Sequence, residues 1–247
     1  MCGRYATTRG ATELGALFDA DDDTGGGLVA DYNVAPTDRV PIVRLPRSGG
    51  RLLSTARWGL VPHWARDTRG AARMINARAE TVATSNAFAR SFAGRRCLVP
   101  ADGWYEWVRR EDGGKQPYYL TPRDGSVLAF AGVWSLWSDR TAAGAEPAAD
   151  LLTCSIVTMA AAGDLADVHD RMPLMLPPER WPGWLAGGGD AAALLAPPSA
   201  EAIAGIEIRP VGRAVGDVRN DGPELVRRVA APPPRTAPEE PVPLPLF

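Results

Sequence analysis

The segment RCLVPADGWYEWV, residues 96–108, predicts two β-strands, at Arg96–Pro100 and Gly103–Arg109. In the second strand, alternation places Trp104 and Glu106 on one face and the two neighbouring aromatic residues on the other. A carboxylate beside tryptophan is a candidate general acid or base, because desolvation disfavours its charged form and raises its pKa. The alternative is a glutamate on an edge strand that faces solvent.

Outward from this segment, the chain is a series of short apolar or alternating runs rich in β-branched and aromatic residues. Many predicted strands with few predicted helices, and no regular β–α–β alternation, indicate an α+β domain with antiparallel or mixed sheets. The other predicted strands are Val40–Leu45, Arg51–Trp58, Tyr118–Thr121, Leu128–Leu136, Leu151–Thr158 and Ile206–Val211, and the predicted helices are Ala11–Phe18, Thr81–Ala83 extending toward Phe92, Pro178–Ala186 and Asp190–Leu195.

Length and composition are typical of one soluble globular domain, with 247 residues, of which 45% are hydrophobic and 23% are charged. Seven prolines between residues 231 and 247 block both helix and sheet. We therefore assign residues 1–230 to the domain and expect a Pro-rich disordered tail over residues 231–247. The segments Asp19–Gly27 and Thr141–Asp150 predict solvated loops.

The sequence predicts neither a membrane span nor a secretory signal, because it has no apolar run of about 18 residues and no apolar segment at its start. We therefore expect a cytoplasmic protein. The three cysteines are an odd number without Cys-x-x-Cys spacing, which argues against a disulfide framework and a structural zinc site. Nothing in the sequence indicates a metal or an organic cofactor. Cys97 and Cys154 lie in strand-like runs and are predicted to be buried small hydrophobic residues.

The formal net charge of −2 gives no overall attraction to nucleic acid. Of the 27 basic residues, Lys115 is the only lysine. An anion site would therefore be a local arginine cluster, whose planar guanidinium groups bind phosphate in two places. For any single arginine, the alternative is a compositional preference with no functional meaning.

Cys2 is the first candidate nucleophile, because an aminopeptidase usually removes the initiator Met1 before a small residue. Cys2 would then carry both a free α-amine, with a pKa of about 7.7–8.0, and a thiol. An aldehyde that meets this pair can form a Schiff base and then close to a five-membered thiazolidine. The alternative is an incidental cysteine at a frayed terminus.

Further polar residues stand near predicted strand ends. In RMINARAET, residues 73–81, an extended run enters a helix, and Asn76 and Arg78 share one face if the strand continues. Asn76 could instead be a simple turn residue. In DVHDRMPLML, residues 167–176, His169 is a candidate for proton transfer at neutral pH, with His63 as the competing histidine and a structural role as the alternative.

Taken together and in order, several motifs between residue 2 and about residue 228 resemble the SRAP family, whose members crosslink to abasic sites in DNA. These motifs are Cys2 after the initiator Met, YNVAPT at 32–37, RWGLVPHW at 57–64, INARAET at 75–81, RCLVPADGWYEW at 96–107, FAGVW at 130–134, VTMAAAGDLADVHDRMPLML at 157–176 and VGDVRNDGPELV at 215–226.

The resemblance implies a single α+β domain in which curved, mostly antiparallel sheets form a barrel-like core flanked by short helices. It implies a positively charged groove for single-stranded DNA with the N-terminal cysteine at its floor. Cys2 would attack the ring-opened aldehyde of an abasic site and form a thiazolidine crosslink that shields the lesion during the DNA damage response. We expect a monomer that associates with the nucleoid when it is bound to DNA.

The resemblance also implies roles for individual residues. Asn76 would orient Cys2 or the opened sugar, Glu106 would transfer protons during Schiff-base formation, and His169 would assist ring opening and crosslink reversal. The predicted DNA-binding residues are Arg4 and Arg78 on flanking phosphates, Thr158 lining the site, and Trp64 as a stacking platform.

This chain departs from the family pattern at two positions. Where bacterial members often have two adjacent tryptophans, it has Trp64 followed by Ala65, and Asn86 stands where a basic residue is common. Because base stacking on an aromatic ring contributes about 1–3 kcal/mol, the loss of one platform weakens the predicted affinity for DNA. The covalent step is not affected directly.

Two other functions stay open at this level. Cys2, His169 and Glu106 could act as nucleophile, base and orienting group of a cysteine-dependent peptidase, a label that the family has carried. The chain could also bind DNA without a covalent step, in which case Cys2→Ala would keep full activity.

Overall fold

Thirteen β-strands and five short α-helices lie within residues 2–111, 113–139 and 150–230, which are those that the computed structural model describes. The strands are β1 (Tyr5–Thr7), β2 (Ala20–Asp22), β3 (Asp31–Val34), β4 (Arg39–Arg44), β5 (Arg51–Trp58), β6 (Asn76–Arg78), β7 (Arg96–Ala101), β8 (Gly103–Arg109), β9 (Lys115–Pro122), β10 (Leu128–Trp137), β11 (Leu151–Ala160), β12 (Arg171–Pro173) and β13 (Ile206–Pro210). The helices are α1 (Ala11–Phe18), α2 (Ala89–Gly94), α3 (Trp181–Leu185), α4 (Ala191–Leu194) and α5 (Ala200–Ala204).

The first sheet has five antiparallel strands in the order β13–β9–β8–β1–β3. Strand β8 is therefore central, and alternation along it sends neighbouring residues into different cores. Trp104 packs into the main core, whereas Tyr105 packs with Tyr119 on the opposite face. The face assignment predicted for the GWYEW segment is confirmed by this packing.

The second sheet closes on itself. Its strands follow the order β12–β11–β10–β7–β4–β5–β2, and β5 also pairs in parallel with β11, which completes a ring of five strands. Strand β6 pairs with β11 next to this closure, with Asn76 opposite Ile156 and Arg78 opposite Thr158. A closed ring of strands gives the barrel-like core that the resemblance to the SRAP family implied.

The main core fills the barrel and the space between it and the first sheet. Tyr5 of β1 packs edge-on against Trp58 of β5 at a centroid distance of 5.1 Å, and Trp104 of β8 packs against Phe130 of β10 at 5.9 Å. Such T-shaped aromatic pairs add to the free energy of apolar burial. They hold the start of the chain, with Cys2, against the barrel.

The outer face of the barrel is covered by helices. Phe18 of α1 packs against Trp181 of α3, and Phe92 of α2 packs against Trp184 of the same helix. Arg96 is buried beneath these helices, where its guanidinium donates hydrogen bonds to main-chain carbonyls that include that of Phe92 at 2.8 Å.

The predicted α+β class is confirmed, and all eight strands predicted from the sequence are present. Arg51–Trp58 and Gly103–Arg109 have the predicted bounds, and the other six strands differ at their ends. Three predictions need correction. Residues 81–84 form turns rather than a helix, because Thr81 and Val82 both donate to the carbonyl of Arg78, and α2 begins only at Ala89. The predicted helix Pro178–Ala186 begins with a 3-10 turn, and α3 occupies only its second half. Within the loop predicted at Asp19–Gly27, residues of β2 pair in parallel with β5.

Short elements were missed where the sequence carries little pattern. Strands β1, β3 and β12 have only three or four residues each, and α5 has five. The predicted tail at residues 231–247 and most of the predicted loop Thr141–Asp150 lie outside the described residues. The domain boundary at residue 230 therefore stays a prediction.

Candidate active site

Cys2 is fully buried at the point where the first sheet meets the barrel. The Asn76 side chain donates a hydrogen bond of 2.6 Å from Nδ2 to the Cys2 carbonyl oxygen. Strand β6 pairs with β11, and neighbouring residues of β6 point to opposite faces. The side chain of Ala77 packs under the helices on the outside of the barrel, so Asn76 points to the other face. A residue next to the chain terminus is thereby fixed in position.

The side chain of Glu106 is also at this point. Glu106 pairs with Tyr118 of β9 in the central strand of the first sheet. Only 3% of the residue is exposed, so Glu106 does not face solvent. Burial, with a smaller contribution from the negative charge of Asp170, raises the pKa of Glu106 to about 7. A carboxyl group with this pKa exists in both protonation states at neutral pH, as general acid–base catalysis requires.

The thiol of Cys2 is held in its neutral form. Burial raises the pKa of this thiol far above its ordinary value, and the negative charge of Glu106 raises it further. A hydrogen bond from the main-chain N–H of Arg4 has the opposite effect and lowers the pKa of the Cys2 thiol by a smaller amount. Nucleophilic use of this sulfur therefore needs a base that removes its proton, and Glu106 is close enough to act on it electrostatically.

His169 is partly exposed and lies between the 3-10 turn Gly163–Asp167 and strand β12. Its Nδ1 accepts a hydrogen bond of 2.9 Å from the main-chain N–H of Arg171 and lies 2.7 Å from Oδ1 of Asp170. The first contact favours the neutral ring with its proton on Nε2, and the second favours the cation. Burial lowers the pKa of His169, so the neutral ring is favoured at pH 7.

Arg4 points toward the first sheet and the C-terminal segment of the domain. Its Nη1 donates hydrogen bonds of 2.8 Å to Oδ1 of Asn33 and to the carbonyl of Val215, and its guanidinium lies 5.9 Å from the centre of the Trp107 ring. These partners fix the guanidinium without neutralising its charge, so Arg4 is a preorganised cation.

Arg78 and Thr158 are brought together by the pairing of β6 with β11. Arg78 is exposed and forms no salt bridge with any described residue, as a phosphate-binding residue would require. Thr158 is fully buried, and its carbonyl accepts hydrogen bonds from Ala79 N and from Nη2 of Arg171. Thr158 therefore positions Arg171 through its carbonyl oxygen, and its side chain offers no surface to a ligand in this structure.

Arg171 was missed as a site residue by the sequence reasoning. It forms a two-point salt bridge to Glu80, with distances of 2.5 and 3.0 Å, and also binds the Thr158 carbonyl at 2.6 Å. The only sequence signal was its position two residues after His169, because its partners are distant along the chain.

Trp64 lies on the loop that follows β5 and exposes 54% of its surface. This loop is anchored by two hydrogen bonds, from Val61 N to Oγ1 of Thr153 at 3.0 Å and from Nε1 of Trp137 to the Ala65 carbonyl at 2.8 Å. Trp64 and Ala65 line a cleft of about 200 Å³ with Leu60 and Met74. The indole is thus an accessible platform beside a small apolar cleft.

Within the described residues, no three His, Cys, Asp or Glu side chains are grouped closely enough to hold a metal ion. The structure likewise has no helix, in the part of the chain that it describes, that is long and apolar enough to cross a membrane.

The family model for SOS response associated peptidase (SRAP) matches residues 1–218. The abasic site processing protein YedK of Escherichia coli is 34% identical over 235 residues, which cover 93% of this chain and 100% of the relative. The abasic site processing protein YoaM of Bacillus subtilis is 36% identical over 186 residues, which cover 75% of this chain and 79% of the relative.

A crystal structure of a protein from Bacteroides thetaiotaomicron has the same fold, with a TM-score of 0.77 and 25% identity. The match covers 93% of this chain and all of that protein. Fold, sequence and family model agree over most of the chain, and the chain belongs to the SRAP family.

Proposed function

We propose that this protein processes abasic sites in single-stranded DNA by forming a thiazolidine crosslink through Cys2. The observation that carries the proposal is the placement of Cys2, held by Asn76 at 2.6 Å, beside a buried carboxyl group whose pKa is about 7. Relatives of this chain are named abasic site processing proteins, which supports the choice of substrate.

The chemistry needs both nucleophiles of an N-terminal cysteine. After removal of Met1, the Cys2 amine adds to the aldehyde carbon of the ring-opened abasic sugar, and one water leaves as the imine forms. The Cys2 sulfur then adds to the same carbon, and the thiol proton passes through a base to the former imine nitrogen. The net reaction joins one aldehyde to one aminothiol and releases one water.

Glu106 is suited to both proton transfers. Its protonated form can donate to the oxygen that leaves as water, and its ionised form can take the proton of the thiol. Both forms are populated near pH 7 because burial raises the pKa of this carboxyl group. We assign to His169, in its neutral form, the assistance of sugar ring opening and of crosslink reversal.

Three cations can position the DNA strand. Arg4 is preorganised by Asn33, Arg78 is exposed, and Arg171 is held by Glu80. Guanidinium groups bind phosphates through two parallel hydrogen bonds, so these residues can hold the phosphates that flank the lesion. Trp64 supplies the stacking surface for a neighbouring base.

The peptidase alternative is less well supported. A cysteine peptidase needs a thiolate, and such nucleophiles have lowered pKa values beside a cation. Burial and Glu106 instead raise the pKa of Cys2. Thiazolidine formation can start from the neutral thiol. The Cys2 sulfur attacks the electrophilic imine while the carboxylate of Glu106 removes the thiol proton.

The test is incubation of the purified protein with a single-stranded oligonucleotide that has one abasic site, followed by a denaturing gel. An intact oligonucleotide and the Cys2→Ala variant are the controls. A heat-stable shifted band is expected only with wild-type protein and the abasic strand. Its absence, in protein shown to lack Met1, would overturn the proposal.

A further inference from the structure

A second group of cations surrounds Trp134 of β10. Trp134 is partly buried against the main core and lies four residues after Phe130, which contacts Tyr5 and Trp104. Four residues of strand span about 13 Å, so Trp134 is well separated from those contacts.

Two arginines share the Trp134 ring. The guanidinium carbons of Arg44, at the end of β4, and Arg95, just before β7, each lie 5.4 Å from the ring centre. The aromatic face attracts each cation, but two cations over one ring also repel each other. A bound anion between them would replace this repulsion with attraction.

The group has more positive charge than its protein partners neutralise. Arg44 donates to Oγ of Ser54 at 3.0 Å and approaches Asp23, whose side chain is 55% exposed, only to 3.5 Å. Among the described residues, the Arg95 side chain has no hydrogen-bond or salt-bridge partner. An exposed contact such as that with Asp23 is weak and leaves the charge available.

Two exposed arginines extend this positive surface. Arg47 lies three residues after Arg44, the last residue of β4, and Arg90 lies in α2, which ends directly before Arg95. Burial lowers the pKa of Arg95, and the positive charges of Arg90 and Arg47 act in the same direction. Neither Arg47 nor Arg90 has a salt bridge within the described residues. We call Arg44, Arg47, Arg90, Arg95 and Trp134 the Trp134 cluster.

We propose that the Trp134 cluster is a phosphate-binding site, separate from the candidate active site. The two guanidinium groups over the ring can each present a pair of N–H donors to phosphate oxygens, and their partial burial strengthens those hydrogen bonds. The phosphate can belong to a nucleic-acid strand or be a free phosphate group. The proposal does not depend on the chemistry of Cys2.

Three double variants test this site. Arg44→Gln/Arg95→Gln removes the cations over the ring. Arg47→Gln/Arg90→Gln removes the exposed pair, whose side chains form no hydrogen bond with any described residue. The control, Arg69→Gln/Arg219→Gln, loses the same charge at two exposed arginines that are each paired with an aspartate two residues away.

Two measurements are made on each protein. The first is the salt dependence of affinity for an undamaged single-stranded oligonucleotide, where each lost phosphate contact lowers the log–log slope by about 0.7. The second is the rise in melting temperature with inorganic phosphate, compared with chloride at equal ionic strength.

Both cluster variants are expected to lose the phosphate-induced rise, and the control is expected to keep it. If the salt dependence of oligonucleotide affinity has a lower slope in the cluster variants than in the control, the site binds phosphates of a nucleic-acid strand. If that slope is unchanged and only the phosphate-induced rise in melting temperature is lost, the site binds a free phosphate group. If neither measurement distinguishes the cluster variants from the control, the proposal is wrong. If Arg44→Gln/Arg95→Gln does not fold, the comparison of Arg47→Gln/Arg90→Gln with the control tests the proposal.

Discussion

Asn76 donates from Nδ2 to the carbonyl oxygen of Cys2 at 2.6 Å, across 74 positions of sequence. The contact ties the start of the chain to a strand of the barrel, so that Cys2 has one fixed position. Oδ1 of Asn76 is buried and has no hydrogen-bond partner among the described residues. It is therefore available to accept from the Cys2 amine or a sugar hydroxyl.

Replacement of Asn76 by alanine is expected to slow crosslinking by about five- to tenfold, because the variant loses one hydrogen bond of about 1 kcal/mol that orients Cys2. Affinity for an undamaged strand should be unchanged. Single-turnover crosslinking on denaturing gels measures the rate, and Asn86→Ala, at an exposed position, is the control. Equal rates for both variants would remove Asn76 from the site.

Glu106→Gln is expected to change the pH dependence of stability. The pKa of Glu106 is about 7 in the folded protein against 4.5 for the free group, so the folded state holds the proton more tightly. Wild-type stability is therefore unaffected by this group below pH 4.5, falls as the pH rises from 4.5 to 7, and stays lower above it.

The variant lacks this ionisation, so its free energy of unfolding relative to wild type should rise by about 3 kcal/mol between pH 4 and pH 8. Urea unfolding at several pH values measures the difference. The exposed residue Glu179, changed to glutamine, is the control. A constant difference across this range would show that Glu106 titrates normally.

Glu80→Gln is expected to strengthen binding of single-stranded DNA severalfold, because Arg171 no longer has to leave a carboxylate to contact a phosphate. Stability should change by about 1 kcal/mol, because the Glu80 carboxylate is half exposed and Arg171 keeps its hydrogen bond to the Thr158 carbonyl. Fluorescence anisotropy with a labelled strand measures affinity. Glu13→Gln is a matched control, since Glu13 is similarly exposed and is paired with Arg9. The same gain in both variants would indicate a general charge effect.

Trp64→Ala is expected to weaken binding of single-stranded DNA about tenfold, because the chain offers this exposed indole without a second tryptophan at position 65. The crosslinking rate at saturating DNA should stay the same. Titrations of affinity and of rate separate the two effects. Leu17→Ala, at a similarly exposed apolar position, is the control, and no loss of affinity in Trp64→Ala would contradict stacking on this residue.

Local pattern was sufficient for much of the fold. Alternation in GWYEW predicted both the strand Gly103–Arg109 and the sides to which Trp104 and Tyr105 point, because each residue of a strand faces opposite to its neighbour. The burial of Glu106 could not be derived in this way, since a central and an edge strand can have the same alternation. Its neighbours β1 and β9 had to be known first.

Long-range pairing was the other missing information. The closure of the barrel by β5 and β11 joins residues almost one hundred positions apart, and Arg171 meets Glu80 across 91 positions. Neither contact has a local signature. The helix predicted from Thr81 begins only at Ala89, because the main-chain N–H groups of Thr81 and Val82 both donate to the carbonyl of Arg78 and form turns.

The intact mass of the crosslinked product tests the claim that both nucleophiles of Cys2 form the ring. We expect a mass equal to the protein without Met1 plus the abasic strand minus one water, in a product that persists without a reductant. Cys2→Ser should give a persistent adduct only after reduction of its imine, and the mass of that adduct should be two hydrogens higher than protein plus strand minus one water. A wild-type adduct that also needs reduction, or one that persists equally in Cys2→Ser or Cys2→Ala, would contradict the claim.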